Sequence, residues 1–270
     1  MDAETNLGHV VLVGAGNMGG AMLRRWPAEA RVTVIDPNPS DEIVRHIRET
    51  GREHRATPDG VASADLLVVA VKPQLMATVL PTLSPLVEER TTVLSIAAGT
   101  TIATFTKALG TDRVVRTIPN TPAIVGQGVT GAFAARNLDD EAKRRVEALL
   151  ECSGAVVWVE TEADIDRVTA VSGSGPAYVF HMVETLGDAA LALGLPETDA
   201  RTLARRTVIG AAALLAASDE DAGTLRERVT SPGGTTAAAL DVLVGEDRLR
   251  MLMTNAVRAA HARAVELGGK

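Results

Sequence analysis

Six consecutive residues, Leu66-Leu67-Val68-Val69-Ala70-Val71, are apolar at both odd and even positions. A strand with one face in water alternates apolar and polar side chains. A run with neither parity polar therefore belongs to a strand covered on both faces, as in a parallel sheet held between helices. Further β-branched runs at 9–13, 31–35, 92–96, 113–118, 128–134 and 155–159 are separated by stretches of helical period. That alternation predicts βαβ units over the first part of the chain.

Beyond about Asp164 the strand signals stop and alanine and leucine dominate. The expected fold class is α/β: a Rossmann-type, mostly parallel sheet domain over residues 1–163, followed by an all-helical domain over 164–270. Helices are expected at about 176–193, opened near Pro176 and ended by Gly194, at about 196–218 from Pro196, and at about 235–267. In the stretches 208–217 and 235–244, alanines and leucines occupy more than one helical face, which is more than one packing surface requires. Burial between subunits accounts for the excess; a monomeric bundle packed on the sheet domain is the competing reading.

Composition narrows the function classes. With 270 residues, 46% apolar and 23% charged, the chain can bury a core and has little room for long disordered stretches. A formal charge of −7 and 2% aromatic residues exclude a polyanion footprint and a base-stacking platform, so no nucleic-acid partner is expected. The single cysteine, Cys152, points to a reducing compartment, and the cytoplasm is the expected location. No basic region leads into an apolar stretch at the start, and no run of about 18 apolar residues reads as a membrane span. The five histidines, His9, His46, His54, His181 and His261, lack ligand-type spacing, so no metal is expected.

Chemistry first shows in Gly14-Ala15-Gly16-Asn17-Met18-Gly19, a Gly-x-Gly-x-x-Gly directly after the run at 9–13 and at the start of a helical pattern. In that context Gly14 permits a tight turn, Gly16 lets the backbone approach a pyrophosphate, and Gly19 permits close helix–strand packing, with Asn17 and Met18 opening the helix on which the phosphates sit. A nicotinamide dinucleotide is the expected ligand. Asp36 follows twenty positions after Gly16, where a carboxylate accepts from adenosine ribose hydroxyls; this leans toward NADH over NADPH. Asp36 also opens the Asp36-Pro37-Asn38-Pro39 turn, and Arg45 and Arg48 lie near enough in sequence to reach a 2′-phosphate. Ala70-Val71-Lys72-Pro73 and Ala97-Ala98-Gly99 fall at strand ends, where ligands of open α/β sheets collect. Asn120, between Pro119 and Pro122, is a candidate for the carboxamide of the cofactor and equally a turn residue.

Thr230-Ser231-Pro232-Gly233-Gly234-Thr235-Thr236 precedes the last predicted helix and gathers amides and hydroxyls at its start, either an anion pocket for a carboxylate or a capping loop. Three segments together, the glycine motif 13–19, Val168-Thr169-Ala170-Val171-Ser172-Gly173-Ser174-Gly175-Pro176-Ala177-Tyr178, and Ser231-Pro232-Gly233-Gly234-Thr235-Thr236, resemble pyrroline-5-carboxylate reductase. Val71-Lys72-Pro73 and Asn120-Thr121-Pro122 extend the likeness in the same order over nearly the whole chain. The resemblance implies hydride transfer from NAD(P)H to the imine carbon of 1-pyrroline-5-carboxylate, giving L-proline. It implies that the backbone of Ser231, Gly233, Gly234 and Thr235 holds the substrate carboxylate and that Thr236 is the catalytic hydroxyl at the ring nitrogen, with Thr235 the rival. Ser172 to Pro176 would run beside the nicotinamide, or serve only close helix packing. The family forms dimers through C-terminal helices, often assembled into decamers. Asp36 departs from many NADPH-preferring members, which often carry a serine or another uncharged residue there, leaving NADH or NADPH open. A β-hydroxyacid dehydrogenase would need a lysine and an asparagine on the helix after its second glycine-rich motif, and residues 173–194 hold neither. A catalytically silent dinucleotide-binding regulator is the alternative from another class.

Overall fold

The computed structural model describes residues 6–135 and 138–268. The described chain forms two compact units, one drawn from Met1–Ser174 together with Ala260–Lys270, the other Gly175–Ala259.

The first unit holds an eight-stranded sheet. Its strands are β1 (Val10–Val13), β2 (Val32–Ile35), β3 (Glu53–Arg55), β4 (Leu66–Val69), β5 (Thr92–Ser95), β6 (Val114–Ile118), β7 (Gly128–Ala134) and β8 (Gly154–Trp158), in the spatial order β3-β2-β1-β4-β5-β6-β7-β8. Neighbours are parallel except β6 and β7. The helices of this unit are α1 (Asn17–Leu23), α2 (Asp41–Glu49), α3 (Met76–Val79), α4 (Ile102–Leu109), α5 (Asp140–Glu151) and α6 (Asp164–Val168).

The doubly apolar run behaves as its pattern requires. Leu66 and Val68 face one core with Val10, Leu12, Val34 and Leu94, roofed by α1, α2 and α5 through Met22, Ile43, Val146 and Leu150. Leu67 and Val69 face the other, with Val11, Val13, Val93, Leu80, Leu83 and Phe105. Each fully buried leucine contributes about 2 kcal/mol of transfer free energy, so the central strands hold the two layers together. Ala70 and Val71, predicted to be part of this strand, have already left the sheet. β3 has no apolar alternation to announce it: all three of its residues are exposed, and pairing with β2 at the sheet edge makes it a strand.

In the second unit the helices are α7 (Gly175–Ala192), α8 (Glu197–Ala216), α9 (Ala222–Arg228) and α10 (Thr235–Val244); α11 (Arg248–Gly268) ends in the first. A single helix over 235–267 is not formed. Gly245, a poor helix former, ends α10, and Glu246 (φ 54°) and Asp247 (φ 55°) turn left-handed, interrupting the i→i−4 ladder before α11 begins. The short α9 was also absent from the sequence pattern; Asp221 caps it, accepting from the N–H groups of Gly223 at 2.8 Å and Thr224 at 3.1 Å.

Candidate active site

Strand order reverses between β1 and β4, which makes their C-terminal ends the switch point where an open α/β sheet takes its ligand. Gly14 turns there with φ 90°, and a Cβ on it would stand 3.0 Å from the Ala70 carbonyl and 3.1 Å from a Val71 methyl. Gly19 is closed off more tightly: a methyl group would overlap the Gly14 carbonyl and lie 2.9 Å from the Ala70 Cβ. Above Gly16, by contrast, nothing lies within 4 Å, and Gly16 begins α1 with no side chain capping the first amides. Two glycines thus bring helix and strands together while the third leaves open backbone donors, an arrangement that fits the pyrophosphate of a dinucleotide. Asn17 is exposed and Met18 half-buried at the start of the helix. Gly20, not singled out in the sequence, is equally restricted: a Cβ would sit 2.6 Å from Ile43 Cδ1 of α2.

Asp36 is tied to the same turn. Its Oδ2 accepts from the Ala15 N–H at 2.7 Å and its Oδ1 from the Asn38 N–H at 2.9 Å, so it both braces the glycine turn and opens the turn that follows β2. Beside it His54 Nε2 meets the Asp36 carbonyl at 2.9 Å, and Arg55 pairs with Glu53 at 2.7 Å. Arg45 and Arg48 are exposed on α2. The far end of α1 is held by the buried Arg52, whose guanidinium donates to the carbonyls of Leu23 at 2.7 Å, Trp26 at 2.9 Å and Pro27 at 2.8 Å. Arg52 Nη1 also lies 3.1 Å from His46 Nε2, and burial, then the Arg52 charge, pushes the His46 pKa down.

After β4 the chain runs through exposed Lys72 and Pro73. After β5, Ala97 is buried and donates its N–H to Ser95 Oγ at 3.3 Å, while Ala98 is exposed. Gly99 takes φ 74°, and a Cβ there would approach the Leu267 carbonyl at the end of α11 to 3.1 Å. Asn120 is buried, and its side-chain amide bonds to the Ser172 carbonyl and the Val129 N–H rather than lying open. Sequence reading missed Arg116 in β6, which is buried and ion-paired with Glu162 at 3.3 Å and Asp166 at 3.0 Å. The Glu162 carboxylate also accepts the Ile102 N–H at 2.8 Å, so one guanidinium links the start of α4 to α6. Only a lone charge inside an apolar β-run could have drawn attention to it.

In the second unit Ser231-Pro232-Gly233-Gly234 closes on itself through a Gly234 N–H to Ser231 carbonyl bond of 3.0 Å. Proline in second place and Gly233 at φ 67° in third are the signature of a type II turn. Gly234 is the N-cap of α10 and supplies no side-chain acceptor, so a capping role for Ser231 or Thr235 is not what this loop does. The first amides of a ten-residue helix are left open, with Thr235 exposed and Thr236 half-buried. Such a terminus attracts a carboxylate.

The remaining chemistry-bearing groups are engaged elsewhere. His9 bonds to the Ser63 carbonyl and Thr33, and His181 to Glu184. Burial pushes the Cys152 thiol up, and its Sγ meets the Ala148 carbonyl at 3.3 Å. Among the described residues no group of three or more His, Cys, Asp or Glu is arranged for a metal, and no helix is long and apolar enough to cross a membrane.

Two family models match the chain: "Pyrroline-5-carboxylate reductase dimerisation" over residues 162–267 and "NADP oxidoreductase coenzyme F420-dependent" over residues 9–99. The pyrroline-5-carboxylate reductase of Pasteurella multocida is 36% identical over 268 residues, covering 96% of this chain and 97% of its own. That of Pseudomonas aeruginosa is 37% identical over 270 residues, covering 96% of each. Among solved structures, a pyrroline-5-carboxylate reductase from Coxiella burnetii superposes with a TM-score of 0.90 at 35% identity over 97% of this chain and 99% of that one. Pyrroline carboxylate reductase of Plasmodium falciparum, solved with NADP bound, gives 0.80 at 26% identity, over 97% and 99% of the two chains.

Proposed function

The chain belongs to the pyrroline-5-carboxylate reductase family, and from that premise we propose that it reduces the C=N bond of 1-pyrroline-5-carboxylate to L-proline, the last step of proline biosynthesis. It is an NAD(P)H-dependent oxidoreductase. The cofactor supplies a hydride to the imine carbon, and the ring nitrogen takes up a proton, so that C=N becomes CH–NH. A protonated imine is already electrophilic; the protein contributes positioning and charge complementarity more than a strong acid.

The observation that carries this reading is the open start of α10 after a self-closed Ser231–Gly234 turn. The amides of Ser231, Gly233 and Thr235 hold the substrate carboxylate, Gly234 shapes their cradle by closing the turn with its own N–H, and the Thr236 hydroxyl bonds the ring nitrogen. Gly14, Gly16, Asn17, Met18 and Gly19 carry the pyrophosphate, and Ala70, Val71, Lys72, Pro73, Ala97 and Ala98 line the path to the nicotinamide. Asp36, held by two amides on separate oxygens, keeps lone pairs for ribose hydroxyls and meets a 2′-phosphate with like charge, which favours NADH. The reductase works in the cytoplasm as a homo-oligomer, either a dimer or a decamer built from dimers, in line with the dimerisation family matched by residues 162–267.

Initial rates with pyrroline-5-carboxylate and each of NADH and NADPH test the reading. Turnover with a higher kcat/KM for NADH is expected; a folded sample that consumes neither cofactor overturns it. Thr236→Ala is expected to lower kcat by roughly tenfold or more while the dinucleotide Kd stays the same, the mark of an interaction made at the reacting centre. Unchanged kinetics would move the role to Thr235 or to the backbone.

A further inference from the structure

Asn120 follows β6 in the Ile118-Pro119-Asn120-Thr121-Pro122 loop and is 7% exposed. Both ends of its carboxamide serve the main chain: Nδ2 donates to the Ser172 carbonyl at 3.1 Å, and Oδ1 accepts the Val129 N–H at 2.9 Å. In an α-helix the Ser172 carbonyl would be paired by the N–H four residues on. That residue is Pro176, which has none. The backbone here is also wound wide. Thr169–Gly173 is a π-helical turn, closed by the Ser174 N–H on the Thr169 carbonyl at 2.9 Å, and such turns recur at functional sites. Gly173 and Gly175 offer no side chain to anchor the segment. One amide, reaching across 52 positions of sequence, satisfies the carbonyl that the proline orphans.

We propose that Asn120 is a positioning residue: its carboxamide stands in for the N–H that Pro176 lacks and fixes the Ser172–Gly175 backbone for catalysis. The inference rests on the reductase reading, together with the placement of that small-residue segment beside the reduced nicotinamide that the family resemblance implies. Asn120 then acts through the segment and not by touching the cofactor.

Asn120→Asp tests it with little change of shape. The acceptor for Val129 is kept, and a carboxylate oxygen replaces the donor facing the Ser172 carbonyl. On samples with native circular dichroism, kcat is expected to fall by roughly tenfold or more, because small misplacements at a reacting centre are costly. The dinucleotide Kd is expected to change by less than about threefold. The rate relative to the unsubstituted enzyme should recover as the pH is lowered, since a protonated carboxyl can again donate to Ser172. A second arm needs no acid: Pro176→Ala restores a backbone N–H, so Asn120→Ala combined with Pro176→Ala should be more active than Asn120→Ala alone.

An unchanged kcat in Asn120→Asp, a loss confined to dinucleotide affinity, or a double variant no better than Asn120→Ala each overturns the proposal. No turnover by the unsubstituted protein would instead overturn the reductase reading, and the inference with it, before any substitution is made.

Discussion

A single methyl group decides the glycine turn. At Gly19 it would overlap the Gly14 carbonyl, and that atom is backbone and cannot swing aside. Gly19→Ala should therefore push α1 off the switch point and weaken dinucleotide binding by about tenfold or more, read by titrating NADH fluorescence; an unchanged Kd would show that the helix can shift freely. Behind the same helix, His46 must stay neutral to accept from the Arg52 guanidinium. Burial and that charge hold its pKa below the ordinary 6.5. The unfolded chain thus binds the proton more readily than the folded one. The stability tied to His46 is complete above about pH 6.5 and is lost as the pH falls through the depressed folded value. His46→Gln should flatten Tm between about pH 6.5 and pH 5 relative to the unsubstituted protein; parallel curves would remove His46 from the account.

Elements are held by charges as well as by apolar faces. Arg116 sits in a strand whose every residue is buried, and it carries α6 and the start of α4 through Glu162 and Asp166. Removing the cation strands two carboxylates. Asp166 is only slightly exposed and Glu162 about a third, so part of the penalty is relieved by water. Arg116→Met should cost about 3 kcal/mol in urea unfolding, near the low end for a broken buried pair. A loss under about 1 kcal/mol would place the network with ordinary surface pairs. The last helices show what an element-level pattern omits. Apolar periodicity continues across 235–267, so the pattern reads as one helix, yet two residues at positive φ after Gly245 divide it. Periodicity reports which positions are apolar; it is silent on the backbone angles of Glu246 and Asp247.

At the scale of the molecule, the second unit leaves large apolar side chains in water, among them Phe180, Leu203, Leu214, Val242 and Leu243. An exposed apolar surface of this extent marks an interface, and residues 162–267 match a dimerisation family. Mass measurement in solution should give a homodimer or a larger assembly, with a Tm that rises with protein concentration. Leu214→Glu should shift the mass toward the monomer; an unaltered mass would take α8 out of the interface. What the sequence determined by itself is the part governed by short-range rules: a strand apolar on both parities must be covered twice, and a Gly-x-Gly-x-x-Gly between strand and helix must turn tightly, so the parallel sheet and its glycine turn were legible. The tertiary structure alone decided the pairing of exposed β3, the burial of Arg116 beside Glu162 and Asp166, and the use of the Asn120 amide on Ser172. Each depends on partners tens of residues away, and a hydrogen bond or ion pair leaves no period in the chain that makes it.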